Sequence, residues 1–358
     1  MAKPYRVRML TLHLDCQRVE DPLGELEEAS YRLSEASDII AGEYGYEVWT
    51  RRIVLDNCSV DEASKVIESH TPGEELVSLG NYRTDSVTTG FLERLTEEGY
   101  YAALQLGEGW RDARHASKLI HELSEKEPSR ATHIGINTLG EPIETPYFPL
   151  AGTKTHRGLT LGLLYPNHLL EAYRKGGFDG LVTALNSAAR EAHEMLQRAS
   201  EIVKATPAGV DLSPSPWMAE STLGLVEYIA GVRLPEPGIA YGISLVNKAI
   251  QQVNDVPLTG FNEVQLPIAE DLKMKARVSE LNTSARDIAR LSGVCLAGLD
   301  LAVVPADIDR VAGLLLEVKG YSVSKGKPLG VRIIPVDEVE PGDKVFLEKF
   351  GETPVIPI

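Results

Sequence analysis

The chain has 358 residues, 43% of them hydrophobic, and a formal net charge of −16. That length can bury a large core, and the acidic balance excludes a nucleic-acid partner, which needs clustered Lys and Arg. No apolar run reaches the roughly 18 residues of a membrane span, the amino terminus does not read as a signal peptide, and the three cysteines (Cys16, Cys58, Cys295) lack metal-type spacing. The expectation is a reduced, cytoplasmic protein without membrane or nucleic-acid partners. Its scarcity of Asn and Gln points to a thermophilic source.

In chain order, Tyr5–Leu12 alternates and predicts a strand. Asp21-Pro22 starts a helix in which Leu23, Leu26, Leu33, Ala36 and Ile40 share one side. Glu47–Leu55 predicts a strand, Asp61–His70 a helix, Leu76–Leu79 a brief strand and Asp85–Glu98 a helix. Tyr100–Leu106 predicts a strand, Asp112–Glu125 a surface helix and Thr132–Asn137 a strand. A strand over Leu159–Tyr165, a long helix over Asn186–Ala205 and a strand over Gly209–Leu212 follow. Helices are expected over Trp217–Ala230, Tyr241–Gln252, Ile268–Ala276 and Thr283–Leu291, then a buried strand over Leu296–Val304. Asp307–Lys319 predicts a helix, Val331–Val336 a strand and Lys344–Leu347 an edge strand. Such alternation implies the α/β class, with parallel strands and crossover helices in one compact unit over residues 1–358.

The most informative stretch is Val210–Ser221, in which Asp211 precedes two Ser-Pro pairs and an expected helix start at Trp217. Each proline fixes its own φ and holds Ser213 and Ser215 extended. The result is either a stiff ligand-binding turn, with free helix N–H groups for an anion, or a rigid connector. Asn137–Phe148 directly follows a strand and carries Glu141 and Glu144, either a base or metal-ligand pair or a solvated loop. Behind it, Lys154, His156 and Arg157 offer cations and an imidazole to an anionic ligand. Asp300 interrupts an apolar run and must be paired, hydrogen-bonded or protonated, while Cys295 beside it reads as buried and inert. Alternation puts Arg51 and Arg52 on opposite faces of their strand, so at most one enters any site. His13, Asp15 and Cys16 have ligand-type side chains but no partners at a known metal spacing.

The order Asn137–Phe148, Val210–Pro216, Val294–Asp307 and Val331–Val336, followed by Pro341-Gly-Asp343 and Thr353-Pro-Val-Ile356, resembles the domain of unknown function 711 family of bacteria and archaea. The resemblance covers residues 5–358 and is loosest over the first 130. It implies the pyruvate formate-lyase-like fold, a single-domain α/β barrel of about ten strands with helices outside. It assigns no activity or catalytic residue. Glycyl-radical enzymes of that fold carry an Arg-Val-x-Gly-Tyr loop, whereas this chain has Glu317-Val318-Lys319-Gly320-Tyr321, read here as a helix ending in a C-cap glycine.

The expected function is an enzyme of lyase or hydrolase type acting on a small anionic metabolite in a pocket at strand ends. Glu144, His156 and Asp211 are the candidate catalytic residues. Asn137, Glu141, Arg157, Ser213, Ser215, Trp217 and Asp300 are the candidate ligand-binding residues. The sequence names no cofactor or metal and is compatible with a homo-oligomer. The alternative is a non-catalytic ligand-binding or scaffold protein, and convergence of Glu144, His156 and Asp211 in one pocket separates the two.

Overall fold

The computed structural model describes residues 3–295 and 299–358. Five parallel strands build its centre: β1 (Arg6–Asp15), β2 (Val48–Asp56), β3 (Leu76–Arg83), β4 (Tyr101–Gln105) and β5 (Ile134–Asn137). Helices α1 (Pro22–Ile39), α2 (Val60–Ser69), α3 (Thr89–Glu97) and α4 (Gly109–Lys126) connect them. Local chemistry sets these helices. Ser59 caps α2 in a reciprocal box with Glu62, and Ala113, Ala116, Leu119, Ile120 and Leu123 form the buried stripe of α4.

β6 (Arg157–Leu164) returns antiparallel to β1, and β7 (Thr206–Asp211) lies parallel beside β6. Between them α5 (Pro166–Val203) runs much further than the predicted 186–205 helix, because Pro166 starts it early and Gly177 (φ 59°) kinks it. The chain continues through α6 (Thr222–Ala230), α7 (Ile239–Ile250), α8 (Leu272–Val278), α9 (Ala285–Arg290), β8 (Ala302–Pro305) and α10 (Ile308–Lys325). It ends in β9 (Gly330–Val331), β10 (Ile333–Val336), β11 (Lys344–Leu347) and β12 (Gly351–Pro354). The main sheet has eight strands in the order β7-β6-β1-β2-β3-β4-β5-β9, with β10-β8 and β11-β12 as separate pairs. The α/β class therefore holds, with one large sheet and helices outside it. Among the described residues no ladder joins β7 to β8, where a ten-stranded barrel would close.

Several predicted boundaries move. The helix expected at Trp217 starts at Thr222, because Trp217 and Glu220 bridge one another and Met218 takes a left-handed φ of 51°. Gly320 is interior to α10, whose left-handed C-cap is Gly326. The first part of the Leu296–Val304 strand lies outside the described residues, and β8 supplies its end.

The cysteine expectation is also overturned, since Cys16 and Cys58 form a disulfide with Cα atoms 5.2 Å apart. They are 42 residues apart in sequence, but Asp15 of β1 is in register with Asp56 of β2, so the residues just beyond emerge side by side. Cys295 is buried as expected, which pushes its thiol up to about 12.

The stretch after β5 decides the interior. Residues 143–149 and 151–153 are buried against the sheet: Thr11 and Arg52 donate to the Pro146 carbonyl, and His13 Nδ1 lies 2.7 Å from the Gly152 carbonyl. Room comes from missing side chains. A Cβ on Gly135 would sit 2.8 Å from Pro149, and one on Gly330 would collide with Leu150.

Candidate functional site

A cavity of about 280 Å³ opens at the amino-terminal ends of the parallel strands, lined by residues of β1, β2, β3 and β4 together with the 147–150, 215–217, 261–270 and 330–350 stretches. Its walls are aromatic. Trp49 and Trp217 meet edge to face at 4.8 Å, Trp217 and Phe350 lie 6.0 Å apart, and Tyr101 and Phe148 5.5 Å apart. Into this apolar space project Arg8, Arg52, Arg332 and Lys349, against two carboxylates among the described residues, Glu270 and Asp300. An acidic protein thus gathers two surplus positive charges in one cavity, three of its four cations buried and Lys349 exposed.

Each charge is held differently. Arg8 on β1 donates to Glu270 Oε2 (2.5 Å) and the Pro216 carbonyl (2.5 Å), and its buried Nε has no partner. Arg332, between β9 and β10, grips Asp300 with two bonds (2.5 and 2.8 Å) and also reaches Glu270 Oε1 (3.3 Å). Burial alone would raise the Glu270 carboxyl, but Arg8 and Arg332 outweigh it and hold it below the usual carboxylate range.

Arg52 on β2 donates Nε to Thr50 Oγ1 (3.1 Å) and Nη1 to the Pro146 carbonyl (3.0 Å), with the Phe148 ring 5.3 Å away. It has no carboxylate within 4 Å among the described residues. Burial and then Arg8 lower its guanidinium to about 10. Lys349 donates to Tyr101 Oη (2.7 Å), lies over the Tyr101 and Phe350 rings, and likewise has no ion-pair partner among the described residues.

Of the expected ligand-binding residues, Ser215, Trp217 and Asp300 line this cavity. Ser213 sits just behind it, its hydroxyl on Asp211 and its carbonyl accepting from Tyr147. Asn137 caps its own turn through Leu139, Gly140 and Glu141, and Glu141 lies on the surface at the opposite strand ends. Arg157 pairs with Glu25.

The expected catalytic trio does not meet. Asp211 is fully buried and collects five bonds, from Thr145 Oγ1, Ser213 N, Ser213 Oγ, Phe261 N and Asn262 N, which tie β7 to the 257–262 stretch. Burial raises its carboxyl, opposed by those bonds. Glu144 accepts from Thr155 Oγ1 (2.7 Å) and Lys154 N (3.3 Å). His156 is exposed, in a shallow surface pocket beside Arg18, Glu20 and Arg157. Two of the N–H groups at the start of the helix after the Ser-Pro loop are already taken, Leu223 N by Asp271 and Gly224 N by Ser221 Oγ. Of the other metal-type residues, His13 bonds Gly152 O and Thr160 Oγ1, and Cys16 is in the disulfide.

Arg8, Glu270, Arg332 and Lys349 escaped the sequence reading, although a lone arginine inside the apolar run Val331–Val336 carried the same signal as Asp300. Arg51 and Arg52 do part as alternation requires, Arg51 pairing with Glu74 outside and Arg52 turning into the cavity.

A family model described as Uncharacterised ACR (DUF711) matches residues 102–348. The chain belongs to that family. It is 26% identical over 369 residues to a UPF0210 protein of Pyrobaculum arsenaticum, covering 96% of this chain and 77% of the relative. A UPF0210 protein of Methanopyrus kandleri is 29% identical over 155 residues, 42% of this chain and 34% of the relative. Among solved structures, the anaerobic ribonucleotide reductase from Thermotoga maritima in complex with dATP and CTP superposes with a TM-score of 0.45 at 9% identity, covering 92% of this chain and 75% of that chain. Glu270, Asp300 and Arg332 fall inside the stretch matched to DUF711, whereas Arg8, Arg52, Tyr101 and Lys349 flank it.

Proposed function

We propose that the cavity binds a small anionic metabolite with a flat apolar body, and that the protein is an enzyme of lyase or hydrolase type acting on it. The supporting observation is the pair Arg52 and Lys349. A buried cation without a counter-charge is costly; Arg52 is one, and it shares the cavity with the exposed Lys349, the two lying against the Phe148 and Tyr101 rings. A carboxylate or phosphate placed between them removes that cost through charge-assisted bonds, while the rings cover the ligand's body. Arg8 and Arg332 are already neutralised by Glu270 and Asp300, so they shape the field rather than await the ligand.

Native mass spectrometry of protein purified without dialysis tests this reading. The expected result is a small adduct, released as an anion on activation, that is lost in Arg52→Ala. An adduct retained by Arg52→Ala, or none in the wild-type protein, contradicts it. A non-catalytic binding protein is the second reading, favoured by one fact: among the described residues no histidine or cysteine lines the cavity. We also place the protein in the cytoplasm of a thermophile, the intracellular setting in which a bridge such as Cys16–Cys58 persists.

A further inference from the structure

Tyr101 begins β4 and lines the cavity while only 5% exposed. Its ring stacks on His133 at 4.3 Å with planes 13° apart, and leans on Phe148 from another side. His133 is held from behind by the Tyr100 carbonyl, 3.0 Å from Nδ1. Burial, followed by the charge of Lys349, lowers that imidazole to about 4, so the stack is neutral at ordinary pH. The tyrosine is therefore fixed in position before any ligand arrives.

Its hydroxyl is bonded in one direction only. The oxygen accepts from Lys349 Nζ at 2.7 Å, and among the described residues no protein acceptor takes the hydroxyl's own hydrogen. A phenol donates one hydrogen bond and accepts others. Here an ammonium occupies an accepting position, and the donating capacity is left for a group in the cavity that Tyr101 lines. A hydroxyl with a purely structural purpose bonds a backbone acceptor when buried, as Tyr147 bonds Ser213 O and Tyr165 bonds Leu212 O. Tyr101 departs from that pattern at the place where the surplus cations lie.

We propose that Tyr101 is the catalytic acid of this site, with Lys349 as its positioning residue; the inference rests on the anion-binding reading above. In the step, the Tyr101 O–H bond breaks and its proton passes to a basic or leaving atom of the bound ligand. The electron pair stays on Tyr101 Oη as phenolate, stabilised by the Lys349 ammonium 2.7 Å away. A proton from water restores the phenol after product leaves. No oxidant, reductant or further group is consumed.

Benzenesulfonyl fluoride tests the pair without a known substrate. The phenol oxygen attacks sulfur, an S–O bond forms, the S–F bond breaks, fluoride departs and the phenol proton goes to water. The site of labelling is mapped by peptide mass spectrometry, with benzoate as a competing probe. In the wild-type protein Tyr101 is expected to label at least about tenfold faster than any other tyrosine, as befits an oxygen that accepts from an ammonium. Lys349→Met is expected to bring it down to the common rate and Lys349→Arg to restore most of it, which a merely structural lysine would not do. Arg52→Ala is expected to keep the fast labelling but lose protection by benzoate. Uniform labelling of tyrosines, labelling of Lys349 instead, or equal rates in wild type and Lys349→Met would overturn the proposal. Failure of benzoate to protect wild-type protein counts against the anion-binding reading alone, so the two can fail separately.

Discussion

At the residue scale, the cavity holds two kinds of arginine, and they should respond oppositely to removal. Arg332 is the counter-charge of Asp300 and shares Glu270 with Arg8. Arg332→Ala leaves Asp300 buried and uncompensated, which is expected to cost about 3–5 kcal/mol of stability in a denaturant titration. Arg52 compensates no carboxylate, so Arg52→Ala gives up only its bonds to Thr50 and Pro146 while relieving a buried charge. Its expected stability change is within about 1 kcal/mol, and its effect should fall on ligand binding. A loss of stability equal to that of Arg332→Ala would show that the two are not distinct.

His133 gives a pH dependence whose direction follows from its burial. Its folded value of about 4 lies below the ordinary 6.5, so between those limits the unfolded chain binds the proton first. Stability is therefore fully present above about pH 6.5 and falls as pH drops towards 4, by at most about 3 kcal/mol from this residue. Burial lowers His13 and His168 as well, so they act in the same direction. Glu270, held below the usual carboxylate range, contributes only at lower pH. His133→Gln should flatten the melting-temperature profile between pH 6.5 and 4, and an unchanged slope would count against a neutral buried imidazole.

At the element scale, the cavity depends on stretches that are neither helix nor strand. The chain from Thr259 to Glu270 has no regular ladder, yet it supplies Phe261, Gln265 and Glu270 to the walls. It is fastened by Asp211, which accepts from Phe261 N and Asn262 N, by Gln265 N on the Pro214 carbonyl, and by Met218 N on the Glu270 carbonyl. Gly260 is its hinge, with φ +75° and no space for a Cβ, which would collide with Asp211 and sit 2.8 Å from Thr145 Oγ1. Gly260→Ala combines left-handed backbone strain with that collision and is expected to cost about 2 kcal/mol or more. It should also loosen Phe261, visible as lost near-ultraviolet dichroism, and a variant as stable as wild type would contradict this.

Such stretches also explain what the sequence could and could not convey. Strand and helix periods exposed the parallel β1–β5 half, and the interrupted apolar run called for a partner to Asp300, which Arg332 supplies. The Ser-Pro loop, singled out as a pocket wall, lines the candidate cavity through Ser215 and Trp217. The surroundings of Asp211 were not legible, because five backbone and hydroxyl donors converge on it from three separate stretches, which no local pattern encodes. Arg8 was hidden because Val7–Leu14 is buried on both faces, which erases the alternation that would have set it apart.

At the scale of the whole molecule, the main hydrophobic core runs from Tyr5 to Ile356, a second small cluster holds Tyr101 and Phe148 with Val54 and Ala151, and the disulfide pins the carboxyl ends of β1 and β2 away from the cavity at their amino ends. Closing a loop of 42 residues restricts the unfolded chain by about 4 kcal/mol in the chain-entropy picture. Reduction, or Cys58→Ser, should lower unfolding stability by up to that amount while leaving ligand affinity unchanged. Affinity that fell in step with reduction would instead connect the two ends of the sheet.

Everything functional in this reading rests on two uncompensated cations in an aromatic cavity. Calorimetric titration of benzoate and of inorganic phosphate into wild-type protein, Arg52→Ala and Lys349→Ala measures that directly. Saturable one-site binding of at least one probe is expected in the wild type, weakened by about tenfold or more in each variant while both stay folded. Absence of binding by either probe, or equal affinity in all three proteins, would contradict it.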